Sequence, residues 1–297
     1  MITVVGVPID CVGVPEAGDP PFGTELSPGA LRAAGLVAAV GGRDGGDLPV
    51  RLVGRVRDEH TGVLAWPSVR TMTDVVRRHV HQLLTTGHRP LVVGGCCTLL
   101  PAVLAGARDA LGGAGLAYLD GHLDLYDGRT SPTGEPADMP ISVVTGHGPV
   151  DWVDLVGGPL VAPDRLRLLG PRDRAEAIEY GSVLPEQLGY RPESTPDDLQ
   201  REGMAQAGAA ACEALANDGS YWLHLDVDVL DQQAFPATDY LMPGGLRLAE
   251  LRELMRPLTA SDALAGVSVG CYNAEKDPDG SCATALVDLF ADVLRPR

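Results

Sequence analysis

Two short segments hold the residues with the most chemical potential in this chain, Asp120-Gly121-His122-Leu123-Asp124 and Asp226-Val227-Asp228. Each closes an apolar run, LAYLD (116–120) and YWLHLD (221–226), of the kind that forms a buried parallel strand. Open α/β sheets bind ligands outside the carboxyl ends of their strands, which is where these carboxylates fall. A lone Asp there would only cap the following loop. Asp and His at alternate positions, in a chain that repeats the pattern, predict convergence on metal. Oxygen donors with an imidazole suit Mn²⁺, Zn²⁺ or Fe²⁺ better than Ca²⁺. Two such ions ~3.5–4 Å apart bring the pKa of a shared water into the hydroxide range, so the pattern predicts a two-metal hydrolase.

The elements that must position these residues follow from periodicity. Apolar runs at 2–9, 50–56, 90–95, 115–120, 166–171, 221–227 and 264–270 predict strands. Between them, 68–87 opens at Ser68, keeps apolar residues at three-to-four spacing and stops at Gly87, as a helix does. Segments 196–218 and 246–258 behave alike, and 281–294 reads as a last helix. Strands alternating with helices predict an α/β protein with a mainly parallel sheet and right-handed crossovers. With no internal repeat or long linker, one domain over 1–297 is expected. The polar, Gly- and Pro-containing segment 126–140 is expected as a loop beside the site.

Composition narrows the partners. With 40 Asp and Glu against 23 Lys and Arg, the net charge of −17 repels polyanions, so neither nucleic acid nor an anionic membrane is an expected partner. A small molecule is. No basic start with an apolar stretch opens the chain, and no apolar run approaches the ~20 residues that span a bilayer. A cytoplasmic location is expected. The six cysteines are scattered, without the density of a disulfide framework, and are expected to be reduced, mostly as small core residues.

Three motifs carry a family resemblance. GGCCT (94–98), DGHLD (120–124) and LHLDVDVLDQQAFPA (223–237) resemble the GGDHS, DAHxD and SxDxDxxDPxxxPA motifs of the arginase/agmatinase (ureohydrolase) superfamily. The opening segment, from VVGVPID to the helix containing GALRAAGL, is similar to the family's first strand, Gly-rich loop and helix. The likeness spans nearly the full length. It implies a three-layer α/β/α arginase-like fold, two Mn²⁺ ions (with Zn, Fe or Ni as alternatives) and a homo-oligomer as a possible assembly. It also implies attack of a metal-bridging hydroxide on a guanidinium carbon, releasing urea and an amine. Carried over by position, Asp120 and Asp226 would bridge both ions, and His122 and Asp228 would complete one. Asp124 would bind the other and hydrogen-bond the nucleophile. The remaining ligand, the His of GGDHS, is Cys97 here, whose thiolate is a competent ligand for Zn²⁺ or Fe²⁺ and a tolerable one for Mn²⁺. The competing role for Cys97 is structural, at a tight turn after a strand. Cys96 is expected to point the other way, by the period of two.

Other positions depart from the family pattern. Where relatives often carry a proton-shuttling imidazole, this chain has Ala137, which leaves Glu135, Asp138 or water to protonate the leaving group. A substrate whose leaving amine has a lowered pKa, such as an N-hydroxyguanidine, needs less of that help. Where relatives pair the guanidinium with a Glu in (L/I)xEVNP, alignment of GVSVGCYNAEKDP (266–278) places Cys271, with Glu275 beyond it. GPRDRAE (170–176) keeps Arg172 and Asp173 but has Ala175 where arginases read the α-amino group with an Asp. Tyr126 and Thr133, with Cys271, are the candidate substrate contacts. The expected substrate is therefore a modified guanidine, N-hydroxyarginine-like or an ω-guanidino acid or amine, rather than L-arginine. The alternative is a retired homologue that binds metal or ligand without turnover. A one-ion deacylase on the same scaffold ranks below both, because its paired-His motif is missing. The remaining histidines read as surface or core residues, with His224 placed to support Asp226 from the same strand face.

Overall fold

The computed structural model describes residues 1–14, 16–18, 20, 22–217 and 219–295. Seven strands form one sheet: β1 (Ile2–Val7), β2 (Arg43–Asp47), β3 (Arg89–Gly94), β4 (Gly115–Leu119), β5 (Leu166–Leu169), β6 (Tyr221–Asp226) and β7 (Leu264–Gly270). Their order is β2-β1-β3-β7-β6-β4-β5, and every neighbouring pair is parallel. The expected α/β class with a parallel sheet is met.

Two apolar layers sandwich the sheet because successive side chains point to opposite faces. Val5, Val7, Val92, Leu116, Tyr118 and Trp222 pack on one side, against the helices Trp66–Thr85, Leu100–Leu111 and Val150–Val156. Val4, Leu91, Val93, Leu119, Leu223, Leu225 and Val267 pack on the other, against Met204–Ala216, Leu248–Ala260 and Ser281–Leu294. Each Leu or Val so buried contributes about 1.5–3 kcal/mol relative to exposure. The helix at Leu100–Leu111 is buried from Leu100 to Ala107, so its sequence shows no polar stripe to announce it.

Two expectations are corrected. The run 50–56 is not a strand of the sheet; only Val53 forms an isolated bridge, to Val14. The edge beside β1 is instead the exposed RDGGD of β2, whose Asp44 and Asp47 are held by Arg32 at 3.0 and 2.5 Å. Such an edge buries nothing, so hydrophobicity could not reveal it, and its charge discourages further pairing. The helix expected over 196–218 breaks at Gly203 (φ +94) into Pro196–Glu202 and Met204–Ala216. Asp218, at the end of that expected helix, and Pro15, Asp19 and Pro21 of the opening loop lie outside the described residues, as do 296 and 297.

One close approach fixes the end of β3. The Gly95 amide donates to the Val7 carbonyl at 3.0 Å, and a Cβ at Gly95 would fall 1.4 Å from the Ile9 carbonyl oxygen. Both partners are backbone, so neither can swing aside. Gly95→Ala should destabilise the protein by at least ~2 kcal/mol. Urea unfolding checks this, and an unchanged midpoint would show that the two loops can separate freely.

Candidate metal centre

Sheet order, rather than sequence, assembles the site. β3, β7, β6 and β4 are consecutive neighbours, and their carboxyl ends deliver Cys97, Cys271, Asp226 and Asp120 in turn. Backbone amides then hold one oxygen of each Asp. The Asp226 Oδ1 accepts from the Asp228 amide at 2.9 Å, starting a single 3₁₀ turn. The Asp120 Oδ1 accepts from the His122 amide at 2.7 Å, and the Asp228 Oδ1 from the Gly121 amide at 2.9 Å. Gly121 leaves room for Arg172, whose Nη1 would sit 2.7 Å from a Cβ there. The Arg172 guanidinium also donates to the carbonyls of Asp228 (2.8 Å) and Met242 (3.2 Å), latching the loop after β6. Asp124 takes a left-handed backbone (φ +50), and its carboxylate accepts the Tyr118 hydroxyl.

The donor atoms form overlapping groups. The Cys97 Sγ lies 2.6 Å from Asp226 Oδ2, 3.6 Å from Asp120 Oδ2 and 3.8 Å from Cys271 Sγ. The His122 Nδ1 lies 3.1 Å from Asp228 Oδ2 and 3.5 Å from Asp120 Oδ1. Three sets have spacing suited to one ion: Cys97, Asp226 and Cys271; Cys97, Asp120 and His224; and Asp120, His122 and Asp228.

The electrostatics ask for cations. Burial, then the neighbouring Asp228, pushes the Asp120 carboxyl up to about 6. Burial with nearby acids lifts Asp124 and Asp226 well above the carboxylate range. Burial also opposes charge on Asp228, but His122 outweighs it and holds that carboxyl low. Burial likewise works against an imidazolium at His122, yet Asp228 and Asp120 hold its pKa well up. Ionised carboxylates packed this densely out of water are stable only with compensating positive charge. The residues present therefore fit divalent metal, in donor type and in charge.

A cavity opens above this set. Cys97, His122, Asp124, Asp226, Asp228 and Cys271 line it, with Tyr126, Thr133, Ala137 and Asp138 on its walls; Asp120 is fully buried beneath. Asp138 Oδ2 accepts hydroxyls from Ser131 (2.6 Å) and Thr133 (2.7 Å), and burial raises its pKa. Glu135 is not among the lining residues; its carboxylate is engaged by the Tyr240 hydroxyl. Glu275 is exposed and outside the lining. Cys96 does not turn away as expected: it lines the same cavity, beside Cys11, because a 3₁₀ turn starting at Cys97 ends the alternation of the strand.

Sequence reasoning missed Tyr240, Glu176 and Asp239, which line the cavity together with Asp173. Asp239 and Tyr240 come from a loop without periodic pattern, and Glu176 from the short helix Arg174–Glu179. Asp173 is held there by the Leu123 amide at 3.0 Å, and burial lifts it to about 6. His224 is closer to the chemistry than expected. Its Nε2 lies 3.2 Å from Cys97 Sγ, its Nδ1 lies 2.7 Å from Ser268 Oγ, and its ring stacks on Tyr118 at 5.3 Å. Burial depresses its pKa to about 3, so the imidazole is neutral.

A model of the Arginase family matches residues 1–295. The chain belongs to the Arginase family. The arginase of Staphylococcus aureus (strain MRSA252) is 26% identical over 292 residues, covering 95% of each chain. The crystal structure of arginase from Bacillus cereus superposes with a TM-score of 0.84 at 26% identity, covering 100% of this chain and 99% of that one. Arginase from Bacillus caldovelox gives 0.87 at 24% identity, covering 100% and 98%. Set against the Arginase family motifs GGDHS and SxDxD, the chain has a thiol for the His at Cys97 and an imidazole for the Ser at His224. Those two side chains touch.

A carboxyl whose native pKa is raised binds its proton more tightly folded than unfolded. Its stabilising effect is complete below the ordinary value of 3.8 and is lost as pH rises through the native one. For Asp120 that window runs from about pH 4 to about 6, at ~1.4 kcal/mol per pH unit for each such group. Asp124 and Asp226 extend the window upward, and His122 loses its contribution above its raised native pKa. Asp228 has the opposite sign, but it acts only below the ordinary carboxylate range. Chelator-treated protein should therefore melt lower at pH 7 than at pH 5, and Mn²⁺ or Zn²⁺ should reverse the loss. A melting temperature that rises between those pH values under chelation would contradict this.

Proposed function

We propose that residues 1–297 act as one unit, a divalent-metal hydrolase of C–N bonds in guanidino compounds, with a modified guanidine as the preferred substrate over L-arginine. The lining of the cavity carries this reading. Asp138, Asp173, Glu176 and Asp239 surround the space above the ligand set, and none of the described lining residues is Lys or Arg. A guanidinium or ammonium cation gains from that field. A free substrate carboxylate finds no cationic partner within it, which favours an N-hydroxyguanidine or a guanidino amine over an α-amino acid. Membership of the Arginase family supports the reaction class.

Cys97, Asp120, His122, Asp124, Asp226 and Asp228 would hold two ions, Mn²⁺ being the family's usual metal. Bound there, such a pair supplies Lewis acidity and a water acidified near neutral pH. The chain's own residues do the rest. The Tyr118 hydroxyl holds Asp124 Oδ2, which leaves Oδ1 to take the nucleophile's proton. Ser131 and Thr133 orient Asp138 Oδ2 towards the cavity, and burial shifts this carboxyl's pKa upward, the direction a proton donor to the leaving amine needs. Asp138 thereby fills the role left open at Ala137, and Glu135, tied to Tyr240, supports the wall. Tyr126 and Thr133 flank the substrate.

Release of urea or hydroxyurea with Mn²⁺ should be measured for L-arginine, an N-hydroxyguanidine, a guanidino acid and a guanidino amine. The N-hydroxyguanidine and the guanidino amine should show the higher kcat/KM. Asp138→Asn should lower kcat about 10²-fold with little change in KM, as loss of a general acid does. No turnover of any compound with both ions bound would instead favour a homologue that binds metal without catalysis.

A further inference from the structure

We infer that Cys271 is a metal ligand alongside Cys97, so that one of the two ion positions is a thiolate site that takes Zn²⁺ in preference to Mn²⁺. The inference rests on the metal-centre reading above and deepens it. The two sulfurs lie 3.8 Å apart. That is far beyond a disulfide, at ~2.05 Å. It is the separation of two sulfurs bound to one tetrahedral Zn²⁺ at ~2.3 Å each, which is ~3.8 Å. Asp226 completes the group. Its Oδ2 is 2.6 Å from Cys97 Sγ, and the three donor atoms lie within 4.8 Å of one another.

Backbone geometry aims Cys271 at this point. The residue adopts a left-handed conformation (φ +65), and its amide donates to the Gly95 carbonyl at 2.6 Å. That bond ties the turn after β7 to the turn after β3, setting the two thiols face to face. On the inner side of Cys97 lies His224, its Nε2 3.2 Å from the sulfur. The group without a sulfur, Asp120, His122 and Asp228, offers oxygen and one imidazole only. Soft thiolates select Zn²⁺ or Fe²⁺, whereas carboxylates with an imidazole suit Mn²⁺. The two positions therefore differ in kind. Cys271, aligned with a carboxylate that pairs with substrate in relatives, belongs here to the metal.

Co²⁺ binds the ligands that Zn²⁺ binds and reports thiolates through a near-ultraviolet charge-transfer band. The full chain, stripped with chelator, should be titrated with Co²⁺ while bound metal is measured by equilibrium dialysis. The band should appear with the first equivalent, fall by roughly half in both Cys97→Ser and Cys271→Ser, and persist in Cys96→Ser. Zn²⁺ should abolish it, and excess Mn²⁺ should not. A full band in Cys271→Ser overturns the inference and leaves the metal-centre reading standing; bound Co²⁺ without a band overturns the inference and also removes Cys97 from the ligand set, leaving the carboxylates and His122. Failure to bind Co²⁺ at all overturns both. Should Cys271→Ser not fold, N-ethylmaleimide labelling of the unmodified chain gives the answer. Zn²⁺, and not Mn²⁺, should slow labelling at Cys97 and Cys271 together; labelling at Cys271 unaffected by Zn²⁺ overturns the inference.

Discussion

Desolvated negative charge is the constraint on which this structure turns. Asp120, Asp124, Asp226 and Asp228 are all at most 7% exposed, and they share a space at the end of the sheet with the imidazoles of His122 and His224 and, behind them, one guanidinium. Such a cluster costs several kcal/mol per uncompensated ion. The surroundings are organised to bear that cost. Backbone amides hold an oxygen of Asp120, Asp226 and Asp228, a tyrosine hydroxyl holds Asp124, and Arg172 closes the loop behind. Each of these supports is fixed by an element of the fold, so the polar centre and the apolar layers are one design.

The supports run deeper than the ligands. Tyr118, His224 and Ser268 stand directly opposite one another on β4, β6 and β7. The Tyr118 and His224 rings stack within 10° of parallel, and Ser268 also accepts the Trp222 indole N–H at 2.9 Å. A polar row of this kind inside an apolar layer survives because each member has a partner: His224 and Ser268 bond each other, and Tyr118 bonds Asp124. It couples the position of Asp124, through Tyr118, to that of Cys97, through His224.

How much of this was legible in the sequence depends on which forces wrote it. The strands β1, β3, β4, β6 and β7 announce themselves because burial on both faces demands continuous apolar runs, and Asp120, His122, Asp124, Asp226 and Asp228 stand out where those runs end. β2 was illegible because an exposed edge needs no hydrophobic code. The contacts of Cys271, His224 and Tyr240 were illegible for another reason. They depend on β7 lying between β3 and β6, and on loops whose paths follow from packing, neither of which any local pattern encodes. Cys96 was misread because the strand's alternation stops one residue earlier than its apolar run suggests.

The place of β7 also bears on how the molecule comes into being. Cys97 and Cys271 are separated by 174 positions, and the strand preceding Cys271 inserts between two strands made long before it. Until it arrives, β3 and β6 have no partner along those edges, and the acids at their ends remain in water. Contacts of such long range form late and slowly. During synthesis, which places earlier segments first, the chain thus defers the crowding of its charges until nearly all of its apolar surface is available to oppose it.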